Sequence, residues 1–291
     1  MSEKVEFKKL REFGDIINDT IRFFKENFKP LLKVFVYFCG VFIVAGMIAA
    51  IFQQIGMQRA IRNTNVFTTY GRFAGLLSLS YFFVVLIGII SYTALNVSIL
   101  SFIALYIEKG NVAPTVEEVW GYFKYYFFRV FGSSFLIGLL LIAGFCLCLI
   151  PGFYLFPAIS LMLPIIIFEN ASLGYAFSQS FRLLREHWWV TAATILILWV
   201  ITYATSSFAS LPAIILTMVS ALTNGPKGLS NSVIIFSTVI QYLCQVFMII
   251  PIIGLSLCYF NLSERQNSTG LMDRIQKMGE QENPFPNKEE Y

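Results

Sequence analysis

The chain is short of charge. Asp, Glu, Lys and Arg make up 13% of its 291 residues, where a soluble domain carries about a quarter. Water is therefore not its main solvent. It is shorter still of histidine, with His187 alone, which leaves no material for a histidine-rich metal centre. The cysteines Cys39, Cys146, Cys148, Cys244 and Cys258 all fall inside apolar runs. They read as small buried hydrophobes, not as a disulfide framework, and Cys146 with Cys148 lacks the spacing of a redox pair. Paired carboxylates, a nucleophile motif and a glycine-rich phosphate loop are all missing, so no enzyme chemistry is expected. Neither is a cofactor, a metal or a nucleic-acid partner.

What the chain has in excess is apolar surface. Hydrophobic residues make up 57% and aromatics 16%, and the mean hydropathy is +0.69. Six runs meet or approach the roughly 20 apolar residues that cross a bilayer: 31–52, 76–107, 131–150, 153–168, 189–221 and 232–262. The third and fourth are joined by Pro151 and Gly152, a turn signal. Residues of mixed charge precede the first run and no small-residue cleavage site follows it, so it reads as a retained span and not a leader.

Basic residues fix the direction of threading, because they accumulate on the cytoplasmic side. With the N-terminus inside, 17 of the 21 basic residues and all 17 acidic ones fall on that side, leaving Arg59, Arg62, Arg72 and Lys227 outside. Both ends are then cytoplasmic. The 53–75 segment is the one sizeable outer loop. The C-terminal tail, 263–291, is expected to form a short helix over 269–278 and then a disordered end.

Between spans, apolar residues recur three or four apart with charges on the other face. Residues 7–31 show this, as does a stretch from Thr115, where Thr115 and Glu118 have capping-box spacing, and one over 172–188. The first and third align without a gap at an offset of 160, matching Gly14 to Gly174, Arg22 to Arg182 and Glu26 to Glu186. The second aligns more weakly, with Lys124 at the arginine position. Each stretch precedes two spans, so the chain reads as three copies of one unit, about 7–107, 115–168 and 172–262. The expected fold is all-α: a polytopic 1–262 membrane domain of six spans and three interfacial amphipathic helices in a threefold internal repeat. At the inner interface, Lys25, Lys29, Lys124, Arg129, Trp188 and Trp189 are expected to meet lipid, including anionic headgroups.

Apart from Lys33 at the base of the first, the spans hold no ionisable side chain other than cysteine and tyrosine. Their polar groups include Asn96, Gln241 and Gln245, the last two placed on one helical face by their spacing. Glu169, at the end of the fourth run, is expected to latch to Arg182 or Arg185. His187 reads as a polar helix-end residue.

The stretch PGFYLFPAISLMLPIIIFENASLGYAFSQSFRLLREHWW, residues 151–189, carries Pro151 with Gly152, Pro164, Glu169, Ala176, Ser180, Arg182 and Trp188. It resembles the integral-membrane domain that accompanies some bacterial glycerophosphoryl diester phosphodiesterases. In that family the enzymatic work belongs to a separate soluble barrel, for which no segment here is long enough. The resemblance implies a stand-alone membrane domain. The expected role is that of a non-enzymatic scaffold or subunit with an unidentified membrane-protein partner; the alternative is a lipid or small-solute transporter or channel using the neutral polar residues.

Overall fold

The computed structural model describes residues 4–63, 79–147, 149–224 and 229–267, and within them it is all helical, without a strand. The first helix, α1 (Phe13–Glu26), starts where Glu12 and Asp15 cap each other's backbone N–H groups, and it buries Ile16, Thr20 and Phe23. It stops at Asn27 because Pro30 follows. A proline has no N–H to give to the carbonyl four residues back, and its ring crowds that carbonyl. The chain turns there and restarts as α2 (Phe28–Asn63). The continuous helix expected over 7–31 is therefore two helices preceded by a non-helical lead, residues 4–12.

Next come α3 (Leu79–Glu108), α4 (Val116–Leu147) and α5 (Leu149–Phe168). Thr115 and Glu118 form the expected capping box at the start of α4, with Thr115 N donating to Glu118 Oε2 at 2.7 Å and Glu118 N to Thr115 Oγ1 at 3.4 Å. The expected turn at Pro151 and Gly152 is not there. Both residues lie inside α5, and Pro151 occupies its first turn, where no N–H is needed. Helices α4 and α5 approach closely: a Cβ on Gly144 would meet Leu155 at 3.2 Å and the Gly152 backbone at 3.6 Å.

The second half repeats this pattern of short and long helices. Ser172 caps α6 (Leu173–Leu184), a turn over 185–187 follows, and α7 (Trp188–Asn224) runs on through Pro212. The expected last span is broken into α8 (Asn231–Leu243), a 3-10 segment (Cys244–Met248) and α9 (Ile249–Asn267). Pro251 explains the break, since it leaves the Phe247 carbonyl without its helical donor.

Four stretches are long and apolar enough to cross a membrane: Phe28–Gln58, Tyr81–Glu108, Trp188–Thr223 and Asn231–Asn267. The stretches expected to be the third and fourth spans, the apolar half of α4 and the shorter apolar Gly152–Phe168 in α5, are not among these four in the described residues. The expected outer loop begins inside α2; its 64–75 part and the expected 269–278 helix lie outside the described residues.

Helices α3, α5 and α9 pack pairwise on one another and form the core. Ile99, Ile103, Leu161, Ile165, Ile166, Ile253 and Leu257 on them are fully enclosed. The three helices α1, α4 and α6 begin at Phe13, Val116 and Leu173, offsets of 103 and 160. The same offsets relate their buried positions: Ile16, Thr20 and Phe23 correspond to Val119, Phe123 and Tyr126, and to Ala176, Ser180 and Leu183. They also relate Phe28, which opens α2, to Trp188, which opens α7, and to Phe131 within α4. Burial thus puts the second stretch one residue later than an alignment of Lys124 with Arg22.

Candidate functional site

The polar groups gather at the end of the bundle where the N-terminal lead meets the close of α9. Residues 4–12 run across this end, with Phe7 ringed edge-on by Phe23, Tyr106 and Phe260 at centroid distances of 5.0, 6.1 and 5.8 Å. Arg11 is buried beside them. Its Nε donates to Asp19 at 2.8 Å, and its other nitrogens donate to the carbonyls of Phe7, Lys9 and Glu6. Its backbone N–H donates to Asn261 Oδ1 at 2.9 Å, and its carbonyl accepts from Arg265 at 3.2 Å. The Arg11 backbone thereby joins residues some 250 positions apart, while its guanidinium holds the lead to the first turns of α1. Nothing in the hydropathy pattern marks it; the one sequence signal is the Glu12 and Asp15 capping spacing, which puts the helix start after Arg11.

Beside this knot lies a polar cleft of about 570 Å³, between the ends of α3, α5 and α9 and the outer faces of α4 and α6. Glu169 sits on its wall, and Tyr259 donates to its Oε1 at 2.8 Å. Across the cleft, Tyr122 donates to both oxygens of Glu108 at 2.8 Å. Burial first, and then the Glu108 carboxylate, push the Tyr122 hydroxyl up to about 12. Tyr175 on α6 is also pushed up, chiefly by its hydrogen bond to Glu169.

The expected latch between Glu169 and an arginine is replaced by tyrosine. Arg182 shares the cleft with Glu169, but its bond to the end of α9 runs through its carbonyl, which accepts from Gln266 at 2.8 Å; Arg185 is exposed outside the cleft. No ion pair joins Glu169 to either arginine among the described residues. Tyr259 is 90 positions away, so sequence spacing offered no pointer to it. His187 lines a separate small cavity with Arg11 and Asn261, away from Glu169. Glu108 was missed although it closes α3 much as Glu169 closes α5, a parallel visible in the sequence.

The intramembrane polar residues do not form one face. Asn96 is buried and turns back on its own helix, its Nδ2 donating to the Tyr92 carbonyl at 2.9 Å. Gln241 lies on α8 and Gln245 inside the 3-10 segment, which breaks the regular helical spacing between them. Gln245 lines a cavity of about 240 Å³ with Ser91, Tyr92 and Tyr242, whereas Gln241 is exposed on α8. The core face of α3 also carries the fully buried hydroxyls Thr93, Ser98 and Ser101, small side chains that hydropathy does not single out.

Of the expected lipid-facing residues, Lys25, Lys29, Lys124 and Trp189 are exposed. Lys124 Nζ lies 4.9 Å from the centre of the Trp120 ring. Arg129 instead ties α4 to the turn after α5, donating to Asn170 Oδ1 at 2.7 Å. Trp188 is half-buried, stacked on Tyr154 at 5.5 Å, with its Nε1 donating to the Tyr154 carbonyl at 3.2 Å. Comparison with protein-family models, with curated proteins and with solved structures finds no match for this chain.

Proposed function

We propose that this chain is a protein of the bacterial inner membrane, crossing it six times with both ends in the cytoplasm, and that it serves as a non-enzymatic scaffold or subunit of a membrane complex. In this reading three copies of one unit, each an interfacial helix and two spans, surround the α3, α5 and α9 core. The shared offsets of helix starts and buried positions support the repeat, and the basic count supports the orientation. Membership of the membrane-domain family that residues 151–189 resemble belongs to the same proposal.

The observation that carries the scaffold role is the bare flank of α7 and α8. In the most apolar parts of the α7 and the α8 to α9 stretches, 22% and 28% of residues are buried, against 39% and 44% in α2 and α3. Gln241 stands on this flank, exposed and with no hydrogen-bond partner among the described residues. An amide facing hydrocarbon without a partner costs on the order of a few kcal/mol. A polar group on a neighbouring protein's helix removes that cost and adds about 1 kcal/mol of specific attraction.

A photo-crosslinking residue at Gln241, activated in native membranes, is expected to give a discrete adduct with one membrane protein. The same residue at the exposed Phe52 of α2 should yield lipid adducts alone. Recovery of the chain by itself from several mild detergents, with no protein adduct at position 241, overturns the scaffold role. A second reading, a lipid or small-solute transporter, is favoured by the cavity at Gln245. It requires flux in proteoliposomes that Gln245→Leu abolishes; vesicles of the unaltered protein that show no flux of lipid or solute remove it.

A further inference from the structure

We propose that the groove between the start of α2 and the start of α4 binds one anionic phospholipid, an inference that rests on the bilayer reading above. Two adjoining cavities of about 660 and 300 Å³ share Lys33 and Val116 as lining residues. On α2, Lys29, Lys33, Val36 and Tyr37 follow one another at helical spacing and form one stripe. The smaller cavity holds Lys29 and Lys33; the larger continues over Val36, Tyr37 and Trp120. The stripe thus passes from two ammonium groups to apolar and aromatic surface over about two helical turns. A phospholipid has the same polarity along its length, phosphate first and then acyl chain.

The charges are available. Neither lysine has an ion-pair partner among the described residues, and Glu117 on the opposite wall leaves the groove net positive. The far wall is rigid, since Trp120 is stacked on Phe38 and Phe123 at 5.8 and 5.9 Å. The fold itself does not call for these lysines. At offsets of 103 and 160 their places are taken by Gly132 and Leu136, and by Trp189 and Ala193. Of the three corresponding junctions, only the first is built for an anion.

The full chain is reconstituted in nanodiscs of equal phosphatidylglycerol and phosphatidylethanolamine, then released for native mass spectrometry of the lipid it retains. One phosphatidylglycerol is expected on the unaltered protein. Combined Lys29→Gln and Lys33→Gln should lower that retention roughly thirtyfold, the equivalent of about 1 kcal/mol for each lysine near an anionic headgroup. Lys9→Gln with Arg185→Gln, exposed but off the groove, should leave it unchanged. Val36→Trp fills the apolar end without touching charge and should also expel the lipid, a check that holds if the lysine variant folds poorly. Equal retention of the two lipids by the unaltered protein overturns the proposal, as does full displacement by millimolar glycerol phosphate, which marks a site for a free anion. Release of the chain from membranes by alkaline carbonate overturns the bilayer reading together with the groove; a chain that stays in the membrane yet shows no lipid preference overturns the groove alone.

Discussion

At the scale of single residues, Arg11 is the side chain on which the polar end depends most. Its side chain is 2% exposed and that of its partner Asp19 23%, so the pair is shielded on one side and partly wet on the other. Arg11→Ala leaves Asp19 and several carbonyls without their donor. The loss of stability should be about 2–4 kcal/mol, near the lower part of the range for breaking a buried pair, measured by unfolding in mixed micelles. Arg11→Lys should recover only a fraction, because a point ammonium cannot serve the whole fan of acceptors.

Tyr122 makes a prediction in pH. Its hydroxyl is raised from 10.0 to about 12 in the folded chain, so the folded state holds its proton more tightly than the unfolded one. The stabilisation is fully present below pH 10 and is lost as pH rises through about 12. Tyr122→Phe should flatten that part of the stability profile, and spectrophotometric titration should lose one late-ionising tyrosine. Glu169 was legible as a carboxylate at the end of an apolar run, but its partner was not. Spacing along a helix tells which residues share a face, and only the packing of distant helices tells which faces meet.

At the scale of elements, helix starts were legible where a cap or a proline dictates them, as at Thr115. They were misread where an apolar pattern continues through a break, as across Asn27 and Cys244–Met248. The one-residue difference between the two ways of aligning the second stretch has a physical source. Lys124 and Arg22 are partly or wholly exposed, so their match constrains nothing, while the buried faces through Val119 and Ile16 hold the register.

Close helix approach was equally invisible in hydropathy. A Cβ on Gly254 of α9 would collide with the Leu198 side chain of α7, which makes that glycine a steric requirement. Gly254→Val should destabilise the protein by about 1–3 kcal/mol, and Leu198→Ala in the same chain should restore much of the loss. Melting of the two single variants and the double variant in detergent checks the coupling.

At the scale of the whole molecule, composition and the basic count carry the orientation. Single cysteines in a cysteine-free background provide the measurement. Lys9→Cys and Asn267→Cys should react with impermeant maleimide only in inside-out vesicles, and Met57→Cys and Ser230→Cys only in right-side-out ones. A split between positions 9 and 267 would contradict both the even number of crossings and the contact of Arg11 with Asn261 at 2.9 Å.

That contact also imposes a timetable on assembly. Residues 5–11 leave the ribosome some 250 residues ahead of the surface that receives them, which includes Phe260, Asn261 and Arg265. That segment must idle until α9 has been made, and only then is this end of the bundle sealed. A chain cut at residue 230 should leave its leading segment open to protease in inside-out vesicles, where the intact chain resists cleavage.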